Sequence, residues 1–254
     1  MTGIANRLRR AWTNLANDLI VTKSVDLSLD RALISFTFDD FPRSAARTGA
    51  RILEQHGARG TFYASGSLCG QELDGIEYYR AEDLAALNDA GHEIGCHTFA
   101  HTRVSRMKQE QIEEDLEKNR RFLTELLPGL RLDDFAFPYG DASPASKMLL
   151  QKKFATCRGT RGGLNARRVD LGLLKAVAPG EHQLGRAEIA AAIENVVKEK
   201  GWLIFYTHDI DETPSRWGCS PALLDEAVRL ARRSDAAIVT VGAALAAIVG
   251  RNAA

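Results

Sequence analysis

The chain has 254 residues, with 33 basic and 33 acidic side chains and therefore zero formal net charge. A hydrophobic fraction of 45% and a charged fraction of 26% describe an ordinary globular protein. They exclude collagen-like, disulfide-dense, coiled-coil and globally disordered classes, and the balanced charge gives no electrostatic reason to expect a nucleic-acid partner.

At the N-terminus Ile4, Leu8, Trp12, Leu15 and Leu19 recur at helical spacing, with Arg7, Arg9 and Arg10 among them. Residues 1–30 are expected as an N-terminal helical extension and 31–254 as the main domain. Two readings of the extension are a helix packed over the domain and a peripheral membrane contact through residues 1–20. The segment lacks the apolar core and cleavage site of a signal peptide. No run of about 18 apolar residues suggests a membrane span. Cys69, Cys96, Cys157 and Cys219 form no CxxC pair and are expected as mostly buried thiols. These features together point to a cytoplasmic location.

Residues 32–38 read as a buried strand and 44–56 as a helix stopped at Gly57. Strand-like runs follow at 59–64, 93–96, 134–137, 154–157, 173–177, 202–206 and 237–241. Helical patterns fall at 81–90, 108–127, 143–152, 186–199, 219–232 and 242–249. Strands alternating with helices imply a parallel sheet. Seven or eight of them without a linker imply α/β architecture closed, or nearly closed, into a distorted (β/α) barrel of mostly parallel strands. The longest irregular stretch is 158–172, a length that on a barrel commonly carries function.

Four polar clusters end strands, where a barrel keeps its chemistry. The first is Thr37-Phe38-Asp39-Asp40, whose adjacent carboxylates need a cation, a proton or solvent to coexist. The second is His97-Thr98-Phe99-Ala100-His101, whose histidines come within reach of one metal if the segment makes a helical turn. Thr98 stands where the metalloprotease pattern has glutamate. In the third, Phe135-Ala136-Phe137-Pro138-Tyr139-Gly140-Asp141, a sharp turn can aim a backbone N–H into a pocket. The fourth, Leu203-Ile204-Phe205-Tyr206-Thr207-His208-Asp209, ends an apolar strand in one titratable histidine. Each cluster also has a structural explanation on its own: a helix cap, surface histidines, an ordinary turn, a core histidine.

Taken in order, the four resemble the motifs of the polysaccharide deacetylases of carbohydrate esterase family 4, which include chitooligosaccharide deacetylase-like domains. Gly60-Thr61-Phe62-Tyr63 and Gly91-His92-Glu93-Ile94-Gly95 also look typical of that family. The resemblance spans about residues 32–241. It implies a metal-dependent N-deacetylase in which Asp40, His97 and His101 bind a divalent metal, zinc above others. Asp39 would be the general base, His208 the general acid, and the Tyr139 N–H an oxyanion donor.

Two features depart from the family pattern. The arginine that pairs with the base aspartate is absent before Phe137-Pro138, as in a subgroup acting on secreted poly-N-acetylglucosamine. Arg161, on the glycine-rich loop, is expected to reach Asp39 instead, with Arg158 as second choice. The Asp-Trp motif that tunes the catalytic histidine is also missing, and Asp170, Asp209 and Asp211 are the candidates to replace it. The leading expectation is removal of N-acetyl groups from N-acetylated amino sugars, such as N-acetylglucosamine, in an oligo- or polysaccharide. The alternatives are a deformylase or deacetylase of a lipid-linked amino sugar at the inner membrane face, and an inactive carbohydrate-binding relative.

Overall fold

The computed structural model describes residue 13, residues 15–180 and residues 183–252. The central strand β2 (Ala32–Asp39) is buried along its whole length, as expected of a parallel strand covered on both faces. β1 (Ser24–Asp26) lies outside the main sheet. The main sheet continues through β3 (Thr61–Ala64), β6 (Glu93–Cys96), β7 (Asp134–Ala136) and β8 (Thr156–Arg158), with β10 (Trp202–Thr207) on the other side of β2. All these pairings are parallel. β4 (Glu72–Leu73) and β5 (Ile76–Glu77) form a separate hairpin. Its tip, Asp74-Gly75, takes positive φ at both residues, the turn that matches strand twist. β9 (Arg168–Asp170) pairs antiparallel with β1, and β11 (Ala236–Ile238) pairs with the start of β2.

The ring closes through residues 173–177, the expected sixth barrel strand. Leu174 bridges to Arg158 on β8 and Val177 bridges to Phe205 on β10, both in parallel. Between them the Asn165 side chain takes both backbone groups of Lys175, so the segment pairs at two points and forms no continuous ladder. The molecule is thus a distorted (β/α) barrel, as the alternation of elements implied.

Period-2 alternation sorts the strand residues into two sets. Ile34, Phe36 and Phe38 of β2, Phe62 of β3, Ile94 of β6 and Phe205 of β10 pack outward, in one cluster with Ile52, Leu53, Ile189, Ile193 and Leu224 of the helices. Those helices are 50–55, 186–199 and 221–233. The other set, including Ser35, Thr37, Asp39, Tyr63, Gly95 and Arg158, points into the barrel. A Cβ at Gly95 would meet the Tyr63 ring, so glycine there makes room for an interior tyrosine.

Within the expected helical extension, residues 15–19 are helical, while Ser24–Asp26 is a strand. Ile4, Leu8, Trp12 and the arginines beside them lie outside the described residues. The Lys147 ammonium anchors the segment, donating to the carbonyls of Asn17 and Ile20 at 2.7 and 2.6 Å and pairing with Asp170 at 2.6 Å. The four cysteines are free thiols, and all but Cys69 are buried. Among the described residues no helix is long and apolar enough to cross a membrane.

Candidate active site and metal centre

Alternation explains how four of the site residues meet. Asp39 ends β2, Arg158 ends β8, and His97 and His208 follow β6 and β10 at inward-pointing parity. Asp40 lies one residue past β2 at the opposite parity, and His101 lies five residues past the end of β6, where strand alternation no longer applies. They are brought in by left-handed backbone, with φ of 57° at Asp40, 64° at Thr98 and 48° at His101; Tyr139 across the rim has 61°. Such conformations cost non-glycine residues about 1–3 kcal/mol each and cluster where function requires them. At Gly140 the φ is again positive, and a Cβ would run into the Thr160 side chain, so only glycine fits the turn.

Asp40 Oδ1 lies 3.2 Å from His101 Nε2 and 3.5 Å from His97 Nε2. The three side chains form the one group of this kind among the described residues that could hold a metal ion. His97 Nδ1 lies 2.8 Å from the Ala136 carbonyl. Donating its proton there leaves the Nε2 lone pair facing Asp40, the tautomer a metal ligand needs. The Ala136 carbonyl carries no signal in the sequence, because any residue would supply it. The donors fit a cation on two further counts. Asp40 Oδ1 is buried with no hydrogen-bond partner. Burial, then the neighbouring Asp39, pushes the Asp40 carboxyl up to about 8, which is the cost of leaving that charge uncompensated. Burial also pushes His97 down to about 3 and His101 to about 4, so both are neutral imidazoles with free lone pairs near neutral pH.

Asp39 is treated differently by its surroundings. Burial alone would raise its carboxyl, but the Arg158 guanidinium, by its charge and its hydrogen bond, holds it below the usual carboxylate range. Arg158 is itself fully buried and donates from a terminal nitrogen to Asp39 Oδ1. The rings of Tyr63 and Tyr206 lie 5.0 and 5.3 Å from its guanidinium carbon.

The expected contact between Arg161 and Asp39 is not formed. Arg161 pairs with Asp18 and is half exposed. The reason is the length of β8: the strand runs to residue 158, one position beyond its expected end, and inward parity carries Arg158 into the barrel. Arg161 falls on the loop outside. The charge that the third motif lacks on β7 is therefore supplied from the adjacent strand.

His208 Nε2 stands 3.9 Å from Asp40 Oδ2. Burial lowers its pKa, opposed by the charges of Asp39 and of Asp209, one of the three acids expected to tune it. None of the three candidate acids hydrogen-bonds to it, and its Nδ1 has no partner among the described residues. Asp170 belongs to the Lys147 anchor, Asp211 accepts from the Thr213 N–H, and Asp209 accepts from the Ser215 N–H at 2.6 Å. The rim holds two half-exposed aromatic rings, Tyr139 and Trp217. Tyr139 lies 4.6 Å from the His101 ring, and Trp217 lies 6.4 Å from that of His208. Trp217 stood out by no periodicity in the sequence.

The family model described as polysaccharide deacetylase matches residues 27–155, half of the chain. The chain belongs to the polysaccharide deacetylase family. A chitin deacetylase of Arthroderma benhamiae is 26% identical over 122 residues, which are 48% of this chain and 32% of that protein; the chain thus aligns with about a third of its relative. Among solved structures, a family 4 acetyl xylan esterase from Clostridium thermocellum, in complex with a cobalt ion, superposes with a TM-score of 0.60 at 20% identity, covering 86% of this chain and 92% of that one. Peptidoglycan deacetylase PdaC from Bacillus subtilis gives 0.59 at 20% identity, over 88% and 95%. At these identities the structural likeness speaks for the fold. The matched polysaccharide deacetylase region holds the first three strand-end clusters; Arg158 and His208 lie beyond it.

Proposed function

We propose that this family member is a metal-dependent hydrolase that removes N-acetyl groups from N-acetylated amino sugars in an oligo- or polysaccharide. The observation that carries the reading is the pairing of two unlike acids. Asp40 is buried and uncompensated beside two neutral imidazoles, and Asp39, next to it, is held ionised by Arg158. Asp40 and the Nε2 atoms of His97 and His101 would hold a divalent ion, zinc being suited to two imidazoles and one carboxylate. When bound, the ion supplies Lewis acidity to the amide carbonyl and to water.

The remaining steps belong to the chain. Arg158 occupies Asp39 Oδ1, which leaves Oδ2 to accept the proton of the attacking water. The Tyr139 N–H, on the turn beside His101, stabilises the oxyanion of the tetrahedral intermediate. His208, in its protonated form, delivers the proton that the departing nitrogen needs, so that C–N cleavage yields acetate and a free amine; the proton Asp39 took from water returns through solvent to recharge His208 for the next turnover. The test is acetate release from N-acetylglucosamine oligomers by chelator-treated protein before and after zinc is restored. The reading expects release after restoration alone; equal rates in both states contradict it.

A second reading, the same chemistry on a lipid-linked amino sugar, draws on the exposed Leu15, Leu19 and Val21 of the N-terminal segment. Co-sedimentation with anionic vesicles would favour it, and its loss in a Leu15→Ser, Leu19→Ser variant would assign the contact.

A further inference from the structure

Between the two histidines of the candidate metal centre the backbone is strained. Thr98 and His101 both hold left-handed conformations, which β-branched side chains such as that of Thr98 disfavour most. A loop in that state keeps its geometry only if something outside it fixes its peptide planes. Helix 109–126 does this from one face. Asp115 accepts hydrogen bonds from two consecutive backbone N–H groups of the loop, Phe99 through Oδ2 at 2.6 Å and Ala100 through Oδ1 at 3.1 Å. One turn further, at the i+4 position of the same face, Asn119 is fully buried. It donates to the Ala64 carbonyl at 3.0 Å and to Cys96 Sγ at 3.3 Å, and accepts from the Gly66 N–H at 2.8 Å.

The two side chains have separate tasks. Asn119 ties the ends of β3 and β6 together beneath His97. Asp115 grips two of the four peptide groups between His97 and His101, using both carboxylate oxygens, so the spacing of the imidazoles is set from outside the motif. A charged acceptor makes these bonds stronger than a neutral one would.

We infer that Asp115 is a positioning residue for the metal centre, holding the His97–His101 loop in its strained form so that both Nε2 atoms face Asp40. The inference rests on the metal reading of that site. Groups of this kind, which orient ligands without touching the ion, typically change metal affinity by about 10–100-fold when removed.

The test uses the full chain, with Co2+ as probe, measuring affinity by chelator competition and geometry by the visible absorption of the bound ion. Asp115→Ala should lower Co2+ affinity by about 10–100-fold and alter the absorption spectrum. Asp115→Asn, which keeps one acceptor oxygen, should fall between the two. Glu114→Ala, next to it on an exposed position of the same helix, should match the wild type. Thermal unfolding of the metal-free variants completes the experiment. If Asp115→Ala melts lower but binds Co2+ with unchanged affinity and spectrum, Asp115 supports only the fold and the inference is overturned. If the wild type itself binds no Co2+, the metal reading fails, and this inference fails with it.

Discussion

Each end of the barrel brings two acids together, and the two pairs are stabilised in opposite ways. At the N-terminal end, Glu93 and Asp134 are the first residues of β6 and β7. Thr61 and Thr156, the first residues of β3 and β8, donate their hydroxyls to them, and the Gly242 N–H, in the first turn of helix 241–252, donates to Glu93. Asp134 is pushed up to about 8 by burial and by Glu93, and both acids find their hydrogen-bond donors within the chain. At the C-terminal end, Asp39 and Asp40 share no such proton donor. Asp39 has Arg158, and Asp40 Oδ1 has only the Nε2 faces of two neutral histidines. A closed pair of acids is architecture, serving to cap a helix and tie strand ends. An open pair, completed only by something from outside the chain, is a site.

Asp39→Asn should give the largest effect on turnover at the open end. An amide cannot accept the water's proton, so acetate release should fall by about 10²–10⁴ while zinc content, read by elemental analysis, stays at the wild-type level. Equal loss of metal would merge the roles of Asp39 and Asp40 and break the distinction drawn between them.

Arg158 can be separated from Arg161 next. Arg158→Met leaves Asp39 buried beside no cation, and breaking such a pair should destabilise the fold by about 3–5 kcal/mol, read by urea unfolding. The milder Arg158→Lys weakens the contact. In that variant the Asp39 pKa rises, and because the base must be ionised, the acidic limb of the pH–rate profile moves to higher pH. Arg161→Ala should leave that limb in place, because its partner is Asp18.

The closed end predicts a smaller effect, on stability and not on catalysis. An acid whose folded pKa is raised binds its proton more tightly in the folded state. Its stabilising contribution is complete below the unfolded carboxylate pKa and is lost as pH rises towards about 8. Asp134→Asn removes that titration, so urea midpoints between pH 5 and 9 should depend less on pH than those of the wild type. Steeper pH dependence in the variant would show that Asp134 is not the group that titrates there.

The sequence carried the open end better than the closed one, for a physical reason. Asp39, Asp40, His97, His101 and His208 lie within short motifs at strand ends, so residue type and spacing expose them. The barrel was legible because its strands are apolar runs separated by amphipathic helices. Arg158 was ranked second because its role depends on a single extra residue of β8, and strand ends are where pattern reading is weakest. Strand 173–177 was expected to be continuous, whereas the Asn165 side chain competes for its backbone. Glu93 and Asp134 are 41 positions apart in the chain, and Asp115 acts on peptide groups, so no local pattern joins either to its partner.

The central claim, that one pair of acids is open to a metal and the other is closed, is tested most directly by elemental analysis of three purified full-length proteins. The wild type should carry one equivalent of divalent metal, Asp134→Asn should carry the same, and His97→Ala should carry none. One equivalent retained in His97→Ala, or none in the wild type, would contradict the account.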